Sequence, residues 1–125
     1  MNFFMLIGGL LALFTAAVHL IGGGREIVKP LLTNEALPEP VKLTMYACWH
    51  FVSIFLLISG VVLCAGSATA YFAEQIFIAI TMMYFIMSGM FLVITLFVTE
   101  NKGLFTYPQW ILLLPIGIFC TLGVM

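Results

Sequence analysis

Two histidines carry most of the chemistry this chain offers. His19 ends the first apolar stretch, in A-A-V-H-L-I-G-G-G-R-E, and His50 opens the second, in K-L-T-M-Y-A-C-W-H-F-V-S. An imidazole gains or loses a proton near neutral pH and is also the commonest nitrogen ligand for metals. Arg25, Lys29 and Lys42, three of the four basic residues, lie in the same part of the chain. Asp is absent, which disfavours enzymes built on an aspartate dyad or an Asp-rich metal motif. The three cysteines, Cys48, Cys64 and Cys120, form no C-x-x-C pair and argue against thiol-redox catalysis. They read as buried, inert thiols, with a Cys64–Cys120 disulfide as the alternative.

The elements that position these residues follow from composition. Hydrophobic residues make up 64% of the 125 and charged ones 7%, against roughly a quarter charged in a soluble domain. Such a chain cannot cover itself with a water-compatible surface, so lipid is its solvent. The formal net charge of -1 leaves no basic surface for nucleic acid. A bilayer-crossing helix needs about 20 predominantly apolar residues. Four segments qualify, at about 2–23, 43–65, 72–98 and 108–124, within a single domain spanning 1–125. Each run is continuously apolar, as in a helix, instead of alternating as in a membrane barrel. M-N-F-F-M-L-I has no basic leader and no A-x-A site follows, so the first segment reads as a retained span. The expected fold is an all-α membrane protein, an up-and-down bundle of four transmembrane helices.

Arg25, Lys29 and Lys42 flank the connector 24–42, Lys102 lies in the third connector, and the second has no basic residue. By the positive-inside rule the first and third connectors are cytoplasmic and both termini lie on the outer side of an inner (plasma) membrane. Tyr46, Trp49, Tyr107 and Trp110 then form an inner aromatic belt, and Tyr71 marks the outer one.

Helical periodicity sorts each span into faces. Gly8, Ala12, Thr15, Ala16, His19, Gly22 and Gly23 share a third of the first helix, and Glu26 joins them if the helix continues past the glycines. Tyr46, His50, Ser53, Gly60 and Cys64 share a face of the second helix. Thr81, Tyr84, Ser88, Thr95 and Thr99 share a face of the third. In the fourth, Pro115 removes the donor for the Ile111 carbonyl, and a kink is expected there. Small and polar stripes are where membrane helices approach one another. Pro30, Pro38 and Pro40 argue against a long helix in the first connector, and Glu100-Asn101-Lys102 with Gly103 and Pro108 reads as a polar turn.

His19 precedes Arg25 by about 9 Å of helical rise, and His50 follows Lys42 by about 12 Å. In antiparallel neighbours the two imidazoles therefore reach one level, both on interior faces. An ionisable group within a span is a functional candidate. The expected ligand- or proton-binding set is His19, His50, Tyr46, Ser53, Glu26 and Arg25. Equally, both rings can be neutral and packed against Thr15, Ser53 or a carbonyl. Three chemistries fit the pair. It can serve proton- or cation-coupled transport. It can ligate a haem iron or a transition metal through His19 and His50, as two imidazoles complete a bis-histidine haem but leave a zinc or copper site two ligands short. It can also join Arg25, Glu26 and Tyr46 in acid–base chemistry at the headgroups. Met83, Met87 and Met90 read as packing, and Arg25 and Lys29 as topology determinants, with Glu26 and Lys29 spaced to pair on a helix. Four spans in this length match the small multidrug resistance carriers in size, but G-G-L-L-A-L-F-T-A-A-V-H lacks the first-span carboxylate of those carriers. The function expected is a ligand- or ion-binding, transport-type bundle acting as an oligomer. The alternatives are an accessory subunit of a larger membrane complex and a haem- or metal-binding redox subunit.

Overall fold

A computed structural model of the chain describes residues 1–69, 74–98, 104, 105 and 107–125. Tyr71, the start of the third span at Phe72, Thr99 and the turn at Glu100, Asn101, Lys102 and Gly103 lie outside the described residues. The described residues form helices and no strand: α1 (Phe3–Thr33), α2 (Glu39–Ala68), α3 (Glu74–Val98) and α4 (Gln109–Val124). The first three are long and apolar enough to cross a membrane, and the fourth is a shorter apolar helix. At 1.5 Å per residue the 16 residues of α4 span about 24 Å, a little less than the roughly 30 Å hydrocarbon core.

The helices run beyond the apolar segments that announce them. Residues 24–33 and 39–42, within the expected connector, are helical, so only Asn34–Pro38 breaks the path from α1 to α2. Pro30 does not stop α1: it falls in the first turn of the terminal α-helical piece Lys29–Thr33, at the junction where the π pattern of hydrogen bonds gives way to the α pattern. Pro40 likewise sits in the first turn of α2. Pro115 is accommodated inside a continuous α4.

α1 packs beside α2, α3 packs beside α4, and α4 returns to close against α1. The backbones approach closely at the α1–α2, α1–α4 and α3–α4 seams, whereas α2 and α3 stand farther apart. Glycine explains the close seams through space, since no described glycine has a positive φ. Gly8 and Gly9 face different neighbours. A Cβ at Gly9 would lie 2.8 Å from the Cys64 amide nitrogen and 3.0 Å from the Gly60 carbonyl on α2, and one at Gly8 would lie 3.0 Å from Cys120 Sγ on α4. The wider α2–α3 seam is filled by large rings. Tyr84 is fully buried, its ring centroid lies 5.2 Å from that of Phe55, and its hydroxyl hydrogen-bonds Ser59 Oγ at 2.6 Å.

Three expected faces coincide with the core. Gly8, Ala12, Thr15 and Ala16 of α1 are buried, as are Ser53 and Gly60 of α2 and Thr81, Tyr84, Ser88 and Thr95 of α3. Cys120 is buried and Cys64 half-buried, whereas Cys48, expected to be buried like them, is exposed; all three cysteines are free thiols. The exterior is apolar: Phe3, Ile7, Leu10, Phe14 and Ile21 line the outside of α1, and Phe51, Ile54, Ile58 and Val61 that of α2.

The up-and-down path brings both chain ends to one end of the bundle. There Asn2 ties three helices. Its amide N–H donates to Ser67 O (2.7 Å), its side-chain Nδ2 donates to Gly123 O (2.6 Å), and its Oδ1 accepts from the Met5 amide (3.1 Å) as an N-cap.

Candidate functional site: the histidine end

At the opposite end α1 stops being an α-helix. From His19 to Val28 it is a π-helix, closed by the Lys29 amide donating to Gly24 O, five residues back. π-helix is rare and is found mostly as single turns inside α-helices, frequently at functional sites, and this segment covers 10 residues. A second π segment, Ile94–Val98, ends α3 at the same end. The three consecutive glycines, poor helix formers, make the departure from α geometry less costly.

The wider turn redistributes the residues that α-helical periodicity had aligned. Seven residues make about two α-turns but fall well short of two π-turns. Glu26 therefore leaves the His19 face; it is exposed, as are Arg25 and Lys29, and none of the three makes an ion pair among the described residues. Residue i+4 stays close to one turn away. Gly23 accordingly remains toward α2, where its missing side chain leaves room for the Trp49 ring, whereas nothing lies within 4 Å of the positions a Cβ would take at Gly22 or Gly24.

Trp49 is the hub of the site. Its indole lies against His19, with ring centroids 3.8 Å apart and planes 13° from parallel. His19 Nε2 donates to the Trp49 carbonyl at 3.3 Å, and Ser53 Oγ donates to the same oxygen at 3.1 Å. A carbonyl oxygen only accepts, so Nε2 carries a hydrogen and the remaining nitrogen, Nδ1, carries the titratable lone pair. One residue further along α2, His50 meets Tyr46 edge to face at 4.5 Å. Both imidazoles are half-buried. No hydrogen bond joins them among the described residues, and each has an aromatic residue of α2 as its ring neighbour.

Of the expected set, the structure brings His19 and Ser53 together through the Trp49 carbonyl, and His50 and Tyr46 through their rings. It leaves Arg25 and Glu26 outside these contacts. Trp49 itself was read from sequence only as a belt residue. Its spacing from Tyr46 and Ser53, three before and four after, was the available signal that it shares their face, and the glycine run opposite was the signal that something large had to be housed.

The space between α1 and α2 at this level is occupied by the indole. A shallow apolar groove of about 260 Å³ lies elsewhere, between α3 and α4, lined by Ile78, Met82, Phe85 and Val124 among others. Among the described residues, no three or more His, Cys, Asp or Glu side chains converge as metal ligands. Chemically, the arrangement holds one imidazole in a set orientation with one nitrogen free, and a second imidazole beside it against a phenol. Compared with known protein families, curated proteins and solved structures, the chain has no match.

Proposed function

We propose that the protein is a multi-pass inner-membrane helix bundle that binds a small ligand or ion at its histidine end, in the manner of a transport protein, and that it works as a homo-oligomer or within a larger membrane complex. The carrying observation is the π segment that begins at His19 and seats its ring on Trp49 with one nitrogen committed and one free. A packing residue needs no departure from α geometry, and this π run exchanges the α pattern of hydrogen bonds kept by the first part of α1 for the rarer i→i+5 pattern. The basic residues put this end on the cytoplasmic side, with both termini outside.

A second reading, an accessory subunit without a site of its own, is favoured by a separate observation. Trp49 fills the gap between α1 and α2, so the seam is packed rather than hollow. Two measurements separate the readings. Protein purified in mild detergent is examined by optical spectroscopy and metal analysis, and proton-coupled flux is measured in proteoliposomes, each with the parent chain and with His19→Ala and His50→Ala. Flux, or a bound group, that is lost in either variant supports the binding reading; a Soret band lost in His50→Ala specifies haem. No bound group and no flux in the parent, or activity indifferent to both histidines, gives the accessory reading.

A further inference from the structure

The His19 ring has one nitrogen engaged and one free, and we propose that the free one, Nδ1, is a proton-binding site whose charged form is held as a cation on the face of Trp49. This inference rests on the binding reading above and specifies its ligand as the proton. Because the Trp49 carbonyl accepts from Nε2 at 3.3 Å, the neutral ring is the tautomer with its hydrogen on Nε2 and its lone pair on Nδ1. When a proton arrives from water, it bonds to Nδ1 while Nε2 keeps its own hydrogen, and on release the Nδ1–H bond alone breaks. The same hydrogen bond to Trp49 therefore serves both charge states, and the ring has no need to turn over between them.

The indole is placed to hold the charged form. It lies parallel to the imidazole at 3.8 Å, and the face of Trp is the strongest aromatic seat for a cation. The ring is half-buried, so a proton reaches it without crossing the packed core. On α2 the other titratable groups beside this seat are His50 and Tyr46, which pair with each other. On α1, Arg25 and Glu26 follow in the π segment and are exposed. Among the described residues, α3 and α4 bring no titratable group into hydrogen bond, ion pair or ring contact with His19. Gly23 keeps the indole pressed between the helices, so the seat is built into the α1–α2 seam.

The chain has only two histidines, so nitrogen-15 NMR of histidine-labelled protein in detergent resolves the site directly. As the pH is lowered from about 8 through and below the range in which a free imidazole titrates, the resonance of one Nδ1 should move from the lone-pair to the protonated position while its Nε2 stays protonated. That pair of signals should vanish in His19→Gln. Titration at Nε2 of His19, or no titration of His19 at all, overturns the proposal. Emission from Trp49, isolated in a Trp110→Phe background, supplies a second readout. It should fall as His19 becomes charged, should do so in His50→Gln as well, and should lose its pH dependence in His19→Gln; a pH dependence that survives His19→Gln counts against the seat. Should His19 fail to titrate while flux or a bound group still depends on His50, this inference falls and the binding reading stands. If Nδ1 titrates but no flux or bound group depends on either histidine, the proton site stands and the transport reading falls.

Discussion

The two ends of the α1–α2 pair use glycine for opposite purposes. Near the chain termini, Gly9 and Gly60 let two backbones touch, α1 is regular, and Asn2 ties three helices together. At the other end Gly23 makes room for the Trp49 ring, the helix widens into a π turn, and polar atoms of the site remain partly open. A membrane bundle gains little hydrophobic force from helix–helix contact, so close packing and hydrogen bonds must hold it together. The termini end is organised for that purpose. The histidine end retains less of it, holding its helices apart around a tryptophan.

The sharpest way to break the comparison is to place bulk at the closed end. Gly9→Leu must push its side chain into the Cys64 and Gly60 backbone, which has no rotamer with which to yield. Overpacking of this kind costs about 1–3 kcal/mol or more, and we expect loss of the folded bundle by thermal unfolding in detergent; a midpoint within a degree or two of the parent would refute the close crossing. At the open end the same glycine-to-side-chain change should be milder and local. Gly23→Ala meets the Trp49 ring, a side chain able to shift, so stability should fall by roughly 1 kcal/mol while Trp49 emission changes clearly. Gly24→Ala, one residue away and facing open space, should leave that emission as it was. Equal spectral effects from the two variants would mean that the indole does not rest on Gly23.

Asn2→Ala removes an N-cap and the bond to Gly123 O, for an expected loss of about 1 kcal/mol. Hydrogen exchange should rise at both chain ends and stay unchanged around His19, and uniform exchange would show that the two ends are not separate units. The smallest effect is expected midway. Tyr84→Phe deletes the hydroxyl bonded to Ser59, which retains the Leu56 carbonyl at 3.3 Å as a partner. Side-chain hydrogen bonds between membrane helices average about 0.6 kcal/mol, so a shift above roughly 2 kcal/mol would point to a larger network at the α2–α3 seam.

Periodicity in the sequence identified much of the core of the first three helices, because the 3.6-residue repeat of small and polar residues maps directly onto one face of a regular helix. Gly8, Ala12, Thr15, Ala16, Thr81, Tyr84 and Ser88 all follow it. The same rule failed where the helix ceased to be regular. Beyond His19 the π turn shifted the register, so Glu26 left the expected face and Gly23 was separated from Gly22. The partner of His19 also escaped notice, because tryptophan near a span end is so often a lipid-interface residue.

Composition and apolar run length alone decided that this is a helical bundle compatible with a membrane, since 7% charged residues cannot clothe a water-facing surface. Spacing alone predicted one level for His19 and His50, from the rise along antiparallel neighbours, but it could not say that each ring would rest on its own aromatic neighbour, Trp49 and Tyr46. What lay between the helices was left to tertiary structure: which glycine was filled by a neighbour's backbone and which by its ring, and which nitrogen of His19 was turned to a carbonyl. Those choices depend on the distance and rotation between two helices, quantities that no single helix encodes in its own repeat.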